Sequence, residues 1–166
     1  MRHASQVARH GDKWLTAYES LCRGVGAGQI VMLSGGRGRG KTMMAMDLIV
    51  QACGQGRPSL YTEAMSIFID LRDSYRQGSK LTERGVVAAH VKPSLLVIDA
   101  MEERGETAWE DRILNHIIDK RYAAMRDTVL ISNLSQKDFD DSLGSSIVSR
   151  ANESGGTVVC DWGSFR

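Results

Sequence analysis

The fold of this chain is decided by the stretch Gly35-Gly36-Arg37-Gly38-Arg39-Gly40-Lys41-Thr42. It satisfies every defined position of the phosphate-binding pattern G-x-x-x-x-G-K-[ST]. Residues 29–34 before it form a short apolar run typical of a buried strand, and residues 43–52 after it are predicted to form a helix. A glycine loop between a strand and a helix turns backbone N–H groups towards a phosphate, and the helix N-terminus adds its positive end. The sequence therefore predicts a P-loop that binds the phosphates of a nucleotide.

The residues of this loop have separate predicted roles. Lys41 would reach the β- and γ-phosphates of ATP, and Thr42 would offer its hydroxyl to Mg²⁺. The side chains of Arg37 and Arg39 occupy positions that the motif leaves free, so solvated loop charges are the expected interpretation for both. The whole predicted nucleotide-binding set is Gly35, Gly36, Arg37, Gly38, Arg39, Gly40, Lys41, Thr42 and Met43.

Length, charge and cysteine content limit the class of protein. The chain has 166 residues and a formal net charge of +1, which suits one domain with a core and gives no global electrostatic reason to bind nucleic acid. Cys22, Cys53 and Cys160 are far apart in the sequence, so they favour reduced thiols over a disulfide frame or a zinc site. No apolar run is long enough for a signal peptide or a membrane span. These features predict a cytoplasmic protein with no membrane partner.

Apolar strands alternate with helical patterns along the chain. After the P-loop strand, further strands are predicted over residues 59–62, 95–98, 128–131 and 157–160. Helices are predicted over residues 12–21, 67–75, 81–91, 107–125 and 145–153, with Asp12 and Thr82 as N-cap residues. This alternation predicts an α/β fold with a parallel sheet. We divide the chain into an N-terminal linker and helix, residues 1–28, and a nucleotide-binding core, residues 29–166.

Polar residues follow predicted strands where a P-loop protein needs them. Asp99 ends the third predicted strand, where a carboxylate beside a P-loop can hold Mg²⁺ through water; a turn-capping aspartate is the alternative. Asn133 follows the fourth strand, where it could contact the γ-phosphate or position the attacking water, although an ordinary turn asparagine fits equally well. Arg150 and Arg166 could neutralise transition-state charge. Composition alone favours the alternative that both are ordinary surface arginines.

The order of these motifs resembles the AAA+ ATPase module of the DnaC/IstB-like helicase loaders, including short phage-type members. The resemblance covers about residues 14–166. The matching segments are 35–42, Leu95-Leu96-Val97-Ile98-Asp99, Ile118-Asp119-Lys120-Arg121-Tyr122, Leu130-Ile131-Ser132-Asn133-Leu134, Ile147-Val148-Ser149-Arg150 and Asp161-Trp162-Gly163-Ser164-Phe165-Arg166. Among them, the Arg121-Tyr122 pair, the run 132–134 and the tail 161–166 form the specific part.

The resemblance implies a five-stranded parallel AAA+ sheet flanked by helices, without a separate lid domain. By this resemblance, Lys41, Thr42 and Asp99 bind ATP and Mg²⁺, and Asn133 is the sensor-one residue. By the same likeness these side chains form one catalytic and cofactor-binding set at the P-loop.

The resemblance also implies ATP-dependent self-association and a role in replication. Arg150 matches the arginine finger that reaches a neighbour's ATP, and Arg166 matches the sensor-two arginine that reads the γ-phosphate in cis. In this family, ATP and single-stranded DNA switch the loader while it opens a hexameric replicative helicase. For DNA contact, a basic stretch could line a pore in an oligomer, or it could be a solvated face; it consists of Arg72, Arg76, Lys80 and Arg84.

The chain departs from the family pattern in two places. The family follows the strand-ending Asp with a second acid that polarises the attacking water, whereas this chain has Ala100. Glu102 or Glu103 could take that role, although neither has the same spacing, so hydrolysis is expected to be weakened. The second departure is at the N-terminus, where loaders carry a separate helicase-gripping module. Here residues 1–28 match the family's linker helix, so helicase contact is expected from them, from the AAA+ surface or from another protein.

Three other functions remain open at this stage. An IstB-like transposition regulator would share the fold and the DNA binding but act on a transposase. A nucleotide-gated binding module would bind ATP and oligomerise with little hydrolysis, which Ala100 favours. A small P-loop kinase would need an acceptor pocket and an arginine-rich lid, and the sequence has no such segment between its strands.

Overall fold

The computed structural model describes residues 2–165, with side chains described from Asp12 onwards. The helices and strands follow one another in the order α1 (Arg2–Gly24), β1 (Ile30–Ser34), α2 (Lys41–Gly54), β2 (Ser59–Glu63), α3 (Ala64–Ser74), α4 (Glu83–Val91), β3 (Leu95–Asp99), α5 (Ala108–Ala123), β4 (Asp127–Ile131), α6 (Gln136–Ser154) and β5 (Gly156–Val159). A short 3-10 turn, Met101–Glu103, follows β3.

The five strands form one parallel sheet in the order β2-β3-β4-β1-β5. The register pairs Leu33 of β1 with Ile131 of β4, and Ile98 of β3 with Leu130 of β4. All five predicted strands are therefore confirmed, and so is their parallel arrangement. Because the strands are parallel, their carboxyl ends lie along one edge of the sheet.

Helices cover both faces of the sheet. α1 and α2 lie on one face, which we call the P-loop face, and α3 to α6 lie on the other. Successive strand residues alternate between these layers: in β3, Val97 belongs to the P-loop face, and Leu96 and Ile98 belong to the opposite one. Burial on both faces explains why the central strands β1, β3 and β4 are mostly apolar, whereas the edge strands β2 and β5 are only partly buried and carry polar residues such as Thr62 and Thr157.

Local sequence sets several helix ends. Thr82 caps α4 by accepting a hydrogen bond from the Gly85 N–H, as predicted. Thr107 caps α5 in the same way and shares a reciprocal capping box with Glu110.

Two predicted helix starts were wrong. α1 begins at Arg2 rather than at Asp12, which lies inside the helix, because residues 2–9 contain good helix formers such as Arg, Ala and Gln. α6 begins at Gln136 rather than at Ser145, with Ser135 as its cap. Gly144 has non-helical dihedral angles and divides α6 into two segments, of which the sequence prediction had found only the second.

Arg121 joins the beginnings of two central strands. Its side chain lies at the C-terminal end of α5 and is fully buried. The guanidinium nitrogens donate hydrogen bonds to one hydroxyl and four backbone carbonyls. These acceptors are Thr128 Oγ1 at 2.8 Å, the carbonyls of His90 at 3.0 Å, Val91 at 3.1 Å and Pro93 at 2.9 Å, and the carbonyl of Asp127. Burial lowers the pKa of Arg121 to about 10, so the group is still a cation at neutral pH. Arg121 therefore stabilises the fold, and it lies at the ends of the strands that are opposite to the P-loop.

Among the residues that the structure describes, no helix is long and apolar enough to cross a membrane.

Candidate functional site

The candidate site lies where the carboxyl ends of the central strands meet. β1 leads into the P-loop, β2 ends at Glu63, β3 ends at Asp99, and Asn133 follows β4. A cleft of about 730 Å³ opens here, a size that accommodates a nucleotide. It is lined by Arg37, Gly38, Arg39, Gly40, Lys41, Thr42, Met43, Tyr61, Glu63, Asp99, Ala100, Glu103, Asn133 and Phe165. The structure therefore brings the predicted P-loop, Asp99 and Asn133 together in one place.

The P-loop conformation depends on its glycines. Gly40 has a φ of +76° and immediately precedes α2, so the first turn of that helix has no side-chain cap. A helix N-terminus of this kind presents its N–H groups and positive dipole end to an anion. Gly35 has a φ of +129°, and a Cβ there would lie 2.5 Å from the Cys160 carbonyl oxygen. Both positions therefore require glycine for backbone conformation and for close approach.

Lys41 points back across the loop, as a phosphate-binding lysine must. Its Nζ donates to the carbonyl oxygens of Gly35 and of Gly36, the latter at 2.9 Å, and to Asn133 Oδ1 at 3.0 Å. Burial lowers the pKa of Lys41, although Cys160, Glu102 and Asp99 oppose this effect. A cation held among neutral oxygens in this way can exchange them for phosphate oxygens, which carry more charge.

Thr42 and Asp99 form a pair of oxygen donors beside the first turn of α2. The Thr42 hydroxyl donates to Asp99 Oδ2 at 2.7 Å, and the Tyr61 hydroxyl donates to the same oxygen at 3.0 Å. Asp99 Oδ1 accepts from the Ala100 N–H at 2.7 Å. Hydroxyl and carboxylate oxygens are ligands that suit Mg²⁺, which proteins commonly bind through one or two carboxylates plus substrate phosphates. Within the described residues, no group of three or more His, Cys, Asp or Glu side chains that could hold a metal ion occurs.

Asn133 is held in place by Glu102. Glu102 Oε1 accepts from Asn133 Nδ2 at 2.5 Å, and Oε2 accepts from the Asn133 N–H at 3.1 Å and from Ser132 Oγ at 2.9 Å. Burial alone would raise the pKa of Glu102, but these hydrogen bonds and one from its own backbone N–H lower it. The ionised Glu102 therefore orients the amide so that Asn133 Oδ1 faces Lys41. Both carboxylate oxygens of Glu102 are thus engaged in positioning Asn133, whereas the sequence had offered Glu102 or Glu103 as the acid that polarises the attacking water.

The predicted site includes two arginines, of which the structure describes only Arg150. Arg150 lies on α6, where it pairs with Asp119 at 3.0 Å and stacks over the Tyr122 ring at 5.7 Å. The structure does not bring it to the P-loop of its own chain. Arg166 lies outside the described residues.

The C-terminal segment 160–165 runs along the P-loop. Phe165 N–H donates to the Gly38 carbonyl at 2.7 Å, and Trp162 Nε1 donates to the Arg39 carbonyl at 2.9 Å. The Arg39 guanidinium donates to the Trp162 carbonyl. The expectation that Arg39 is a solvated loop charge was therefore wrong, because its side chain is hydrogen-bonded to this segment. Arg37, in contrast, is exposed, as expected.

The basic stretch 72–84 is partly neutralised within the chain. Arg72 pairs with Glu110 at 2.9 Å and stacks over the Trp109 ring at 5.7 Å. Arg76 pairs with Asp73 at 3.2 Å.

Sequence reasoning missed several residues that line or support the cleft. Tyr61, Glu63 and Phe165 line it, and Glu102 supports Asn133. A usable signal existed for Glu63, because it directly follows a predicted strand in the same way as Asp99. The roles of Tyr61 and Phe165 had no local signal, since each depends on a partner distant in the sequence.

Comparison with known proteins identifies related chains. A family model described as "IstB-like ATP binding protein" matches residues 11–152. The replicative helicase loader DnaC of Buchnera aphidicola subsp. Acyrthosiphon pisum is 25% identical over 136 residues, which cover 81% of this chain and 55% of that protein. The chain thus spans about half the length of the curated relatives that it matches.

Solved structures agree on the fold. The crystal structure of the DnaC helicase loader superposes with a TM-score of 0.74 at 18% identity, covering 89% of this chain and 88% of that one. AMPPCP-bound DnaA from Aquifex aeolicus superposes with a TM-score of 0.76 at 21% identity, covering 90% of this chain and 47% of that one. These likenesses show that the fold is the α/β P-loop fold of AAA+ domains.

Proposed function

This chain belongs to the IstB-like ATP binding protein family, and from that premise we propose that it binds ATP with Mg²⁺ and acts as a loader-like accessory ATPase for a replicative helicase. The observation that carries the proposal is the cleft in which Lys41, the Thr42–Asp99 pair and Asn133 converge on the N-terminus of α2. This arrangement provides one cation for the phosphates, two oxygen donors for the metal and one amide for the γ-phosphate.

Each residue has a role in the proposed complex. Lys41 exchanges the carbonyls that it now contacts for the β- and γ-phosphates, and the N–H groups of residues 35–43 surround them. Thr42 and Asp99 would hold Mg²⁺, and the bound ion would neutralise charge that develops on the phosphates. Asn133, oriented by Glu102, contacts the γ-phosphate. Arg166 would contact that phosphate in cis.

The proposed oligomer places Arg150 at a neighbour's site. Arg150 is far from its own P-loop, and its side chain is partly exposed on α6, so it can serve a second copy without leaving its helix. Release from Asp119 would be needed for this. Self-association that strengthens with ATP is therefore part of the proposal.

The proposed partners are a hexameric replicative helicase and single-stranded DNA. Similarity to a helicase loader over four fifths of the chain supports the first. The exposed Lys80 and Arg84 of the basic stretch support the second, because Arg72 and Arg76 already have acidic partners in this chain. For the helicase contact we propose the linker and helix, residues 1–28, whose helix α1 packs onto the core through Trp14 and Leu21.

Two other functions would use the same cleft. An IstB-like transposition regulator would act on a transposase, and the IstB-like family model over residues 11–152 supports it. An ATP-gated module would bind nucleotide with little turnover, which Ala100 favours. The identity of the bound partner would distinguish a transposition regulator from a loader. The rate of ATP hydrolysis would distinguish an ATP-gated module from a loader.

Capture by a helicase tests the proposal. The chain is first titrated with a fluorescent ATP analogue, with Lys41→Ala as the binding-deficient variant and the exposed Lys137→Ala as the matched control. It is then mixed with a hexameric replicative helicase from the same host in ATP or ADP. ATP-dependent capture that disappears in Lys41→Ala and persists in Lys137→Ala is the expected result. A chain that binds ATP but captures no helicase would refute the loader role, and capture of a transposase instead would establish the regulator.

A further inference from the structure

The missing acid at position 100 raises the question of which carboxylate could replace it. Four carboxylates lie at or beside the cleft: Glu63, Asp99, Glu102 and Glu103. Asp99 already accepts three hydrogen bonds and is placed to bind the metal. Glu102 accepts three hydrogen bonds from Ser132 and Asn133. Glu63 and Glu103 also line the cleft, and neither takes part in the hydrogen bonds that engage Asp99 and Glu102.

The sheet register places Glu63 directly beside Asp99. Glu63 of β2 pairs with Asp99 of β3, so their backbones are about 4.8 Å apart, the usual spacing of neighbouring strands. The alternation of side chains puts both on the same side of the sheet. Tyr61 and Val97, two residues earlier in each strand, both belong to the P-loop face, and residues two apart share a face. Glu63 therefore extends from the strand on the side where the P-loop and Thr42 lie.

Glu63 is fixed by its backbone, because it ends β2 and is the N-cap residue of α3. A side chain on such a junction is positioned more firmly than one at the end of a three-residue turn, which is where Glu103 lies.

We propose that Glu63 is the carboxylate that accepts a proton from the attacking water during ATP hydrolysis, in place of the acid that is absent at position 100. This inference rests on the proposed ATP binding. In the step, the water oxygen forms a bond to the γ-phosphorus while Glu63 takes one proton from the water. The bond between the γ-phosphorus and the β,γ-bridging oxygen breaks, and ADP leaves with the electron pair. Glu63 then returns the proton to the inorganic phosphate, so the catalytic group is restored.

The proposal also changes the meaning of Ala100. With φ at +53°, Ala100 turns the chain from β3 into the turn 101–103, which brings Glu102 under Asn133. The metal-binding acid and the water-activating acid are then supplied by two adjacent strands rather than by consecutive residues of one strand. A chain with Ala at position 100 can accordingly turn over ATP.

The experiment compares Glu63→Gln with the matched variant Glu103→Gln, and adds Ala100→Glu alone and combined with Glu63→Gln. Phosphate release gives kcat, and titration with a fluorescent ATP analogue, with and without Mg²⁺, gives nucleotide affinity. Glu63→Gln is expected to lower kcat about 10²-fold, as for loss of a general base, while nucleotide affinity changes less than about threefold. Glu103→Gln is expected to lower kcat far less than Glu63→Gln does. Ala100→Glu is expected to restore turnover to Glu63→Gln, because it returns a carboxylate beside Asp99.

Each contrary outcome is distinguishable. Unchanged kcat in Glu63→Gln, or a fall in Glu103→Gln instead, would overturn the assignment. A loss of Mg²⁺-dependent affinity in Glu63→Gln as large as that in Asp99→Asn would make Glu63 a metal-binding residue and also overturn it. Tight ATP binding by the wild-type chain without turnover would refute the inference while leaving the proposed nucleotide binding intact. Failure of the wild-type chain to bind ATP would instead refute the proposed function itself.

Discussion

Replacing Arg121 by lysine tests how this fold holds the strands that carry the site. Arg121 joins the loop before β3 to the first residues of β4; β3 ends at Asp99, and Asn133 follows β4. Lysine keeps the charge and much of the length of the side chain but replaces the three-nitrogen fork with a single nitrogen. The substitution therefore removes the branched hydrogen-bonding geometry of the guanidinium but keeps its positive charge.

The size of the effect follows from the hydrogen bonds. Arg121 serves four carbonyls and one hydroxyl from three nitrogen atoms, whereas one lysine nitrogen has three donors at a single point. At least two of these five hydrogen bonds are consequently lost. Because the Val91 carbonyl also accepts from Arg126 Nη1 at 2.7 Å, a lost bond does not always leave its acceptor unsatisfied. At about 0.5–1.5 kcal/mol for each lost hydrogen bond, we expect Arg121→Lys to lower the free energy of unfolding by about 1–3 kcal/mol. With a urea m-value of about 2 kcal/mol/M, the midpoint would fall by about 0.5–1.5 M.

Urea unfolding, followed by tryptophan fluorescence and far-ultraviolet circular dichroism, measures this change. Arg112→Lys is the matched control, because Arg112 lies on the same helix with an exposed side chain, and its effect should stay within about 0.5 kcal/mol. A loss below about 1 kcal/mol in Arg121→Lys, or one equal to that of the control, would refute the argument that Arg121 fixes the strand starts.

Three further predictions concern the cleft. Hydrogen bonds to ionised Glu102 hold its folded pKa below the usual 4.5, so they stabilise the protein above that pH and are lost as the pH falls through the lowered folded value. Glu102→Gln should therefore lower stability at neutral pH and flatten the decline in acid; denaturation midpoints at several pH values would show this, and an unaltered acid decline would contradict it. Gly40→Ala should cost about 1–2 kcal/mol for its positive φ alone and abolish ATP-analogue binding, since the new Cβ would lie 2.4 Å from the Phe165 ring. Binding at wild-type affinity would contradict that role of Gly40. Tyr61→Phe should cost about 1 kcal/mol through its lost hydrogen bond to Asp99, a change that thermal unfolding would detect and that a wild-type transition would exclude.

Most of the fold could be predicted from local sequence patterns. Short runs rich in apolar residues and bounded by polar or glycine residues indicated the strands, most clearly for the central strands, because a strand buried on both faces of a parallel sheet is mostly apolar. Helix caps such as Thr82 were also local signals. The first half of α6 was missed because its apolar residues, Phe139 and Leu143, are few and because Gly144 interrupts the pattern.

The candidate site was predictable in part. The P-loop, Asp99 and Asn133 were found because a glycine motif and polar residues at strand ends have a fixed meaning in parallel sheets. The support of Asn133 by Glu102 was not predictable, since it depends on the backbone turn at Ala100. The finger role of Arg150 stays a prediction that a measurement on an assembled oligomer has to test.

The sequence by itself determined that this chain forms a parallel α/β sheet around a phosphate-binding loop, because motif, strand and helix are contiguous and each follows from short-range physics. Only the tertiary structure decided which side chains meet at the ends of the strands. The order of the strands placed Glu63 beside Asp99, and the return of the C-terminal segment placed Trp162 and Phe165 on the P-loop. Such neighbours lie tens of residues apart or more along the chain, so no local periodicity records them, and burial and hydrogen bonding across the whole domain select them.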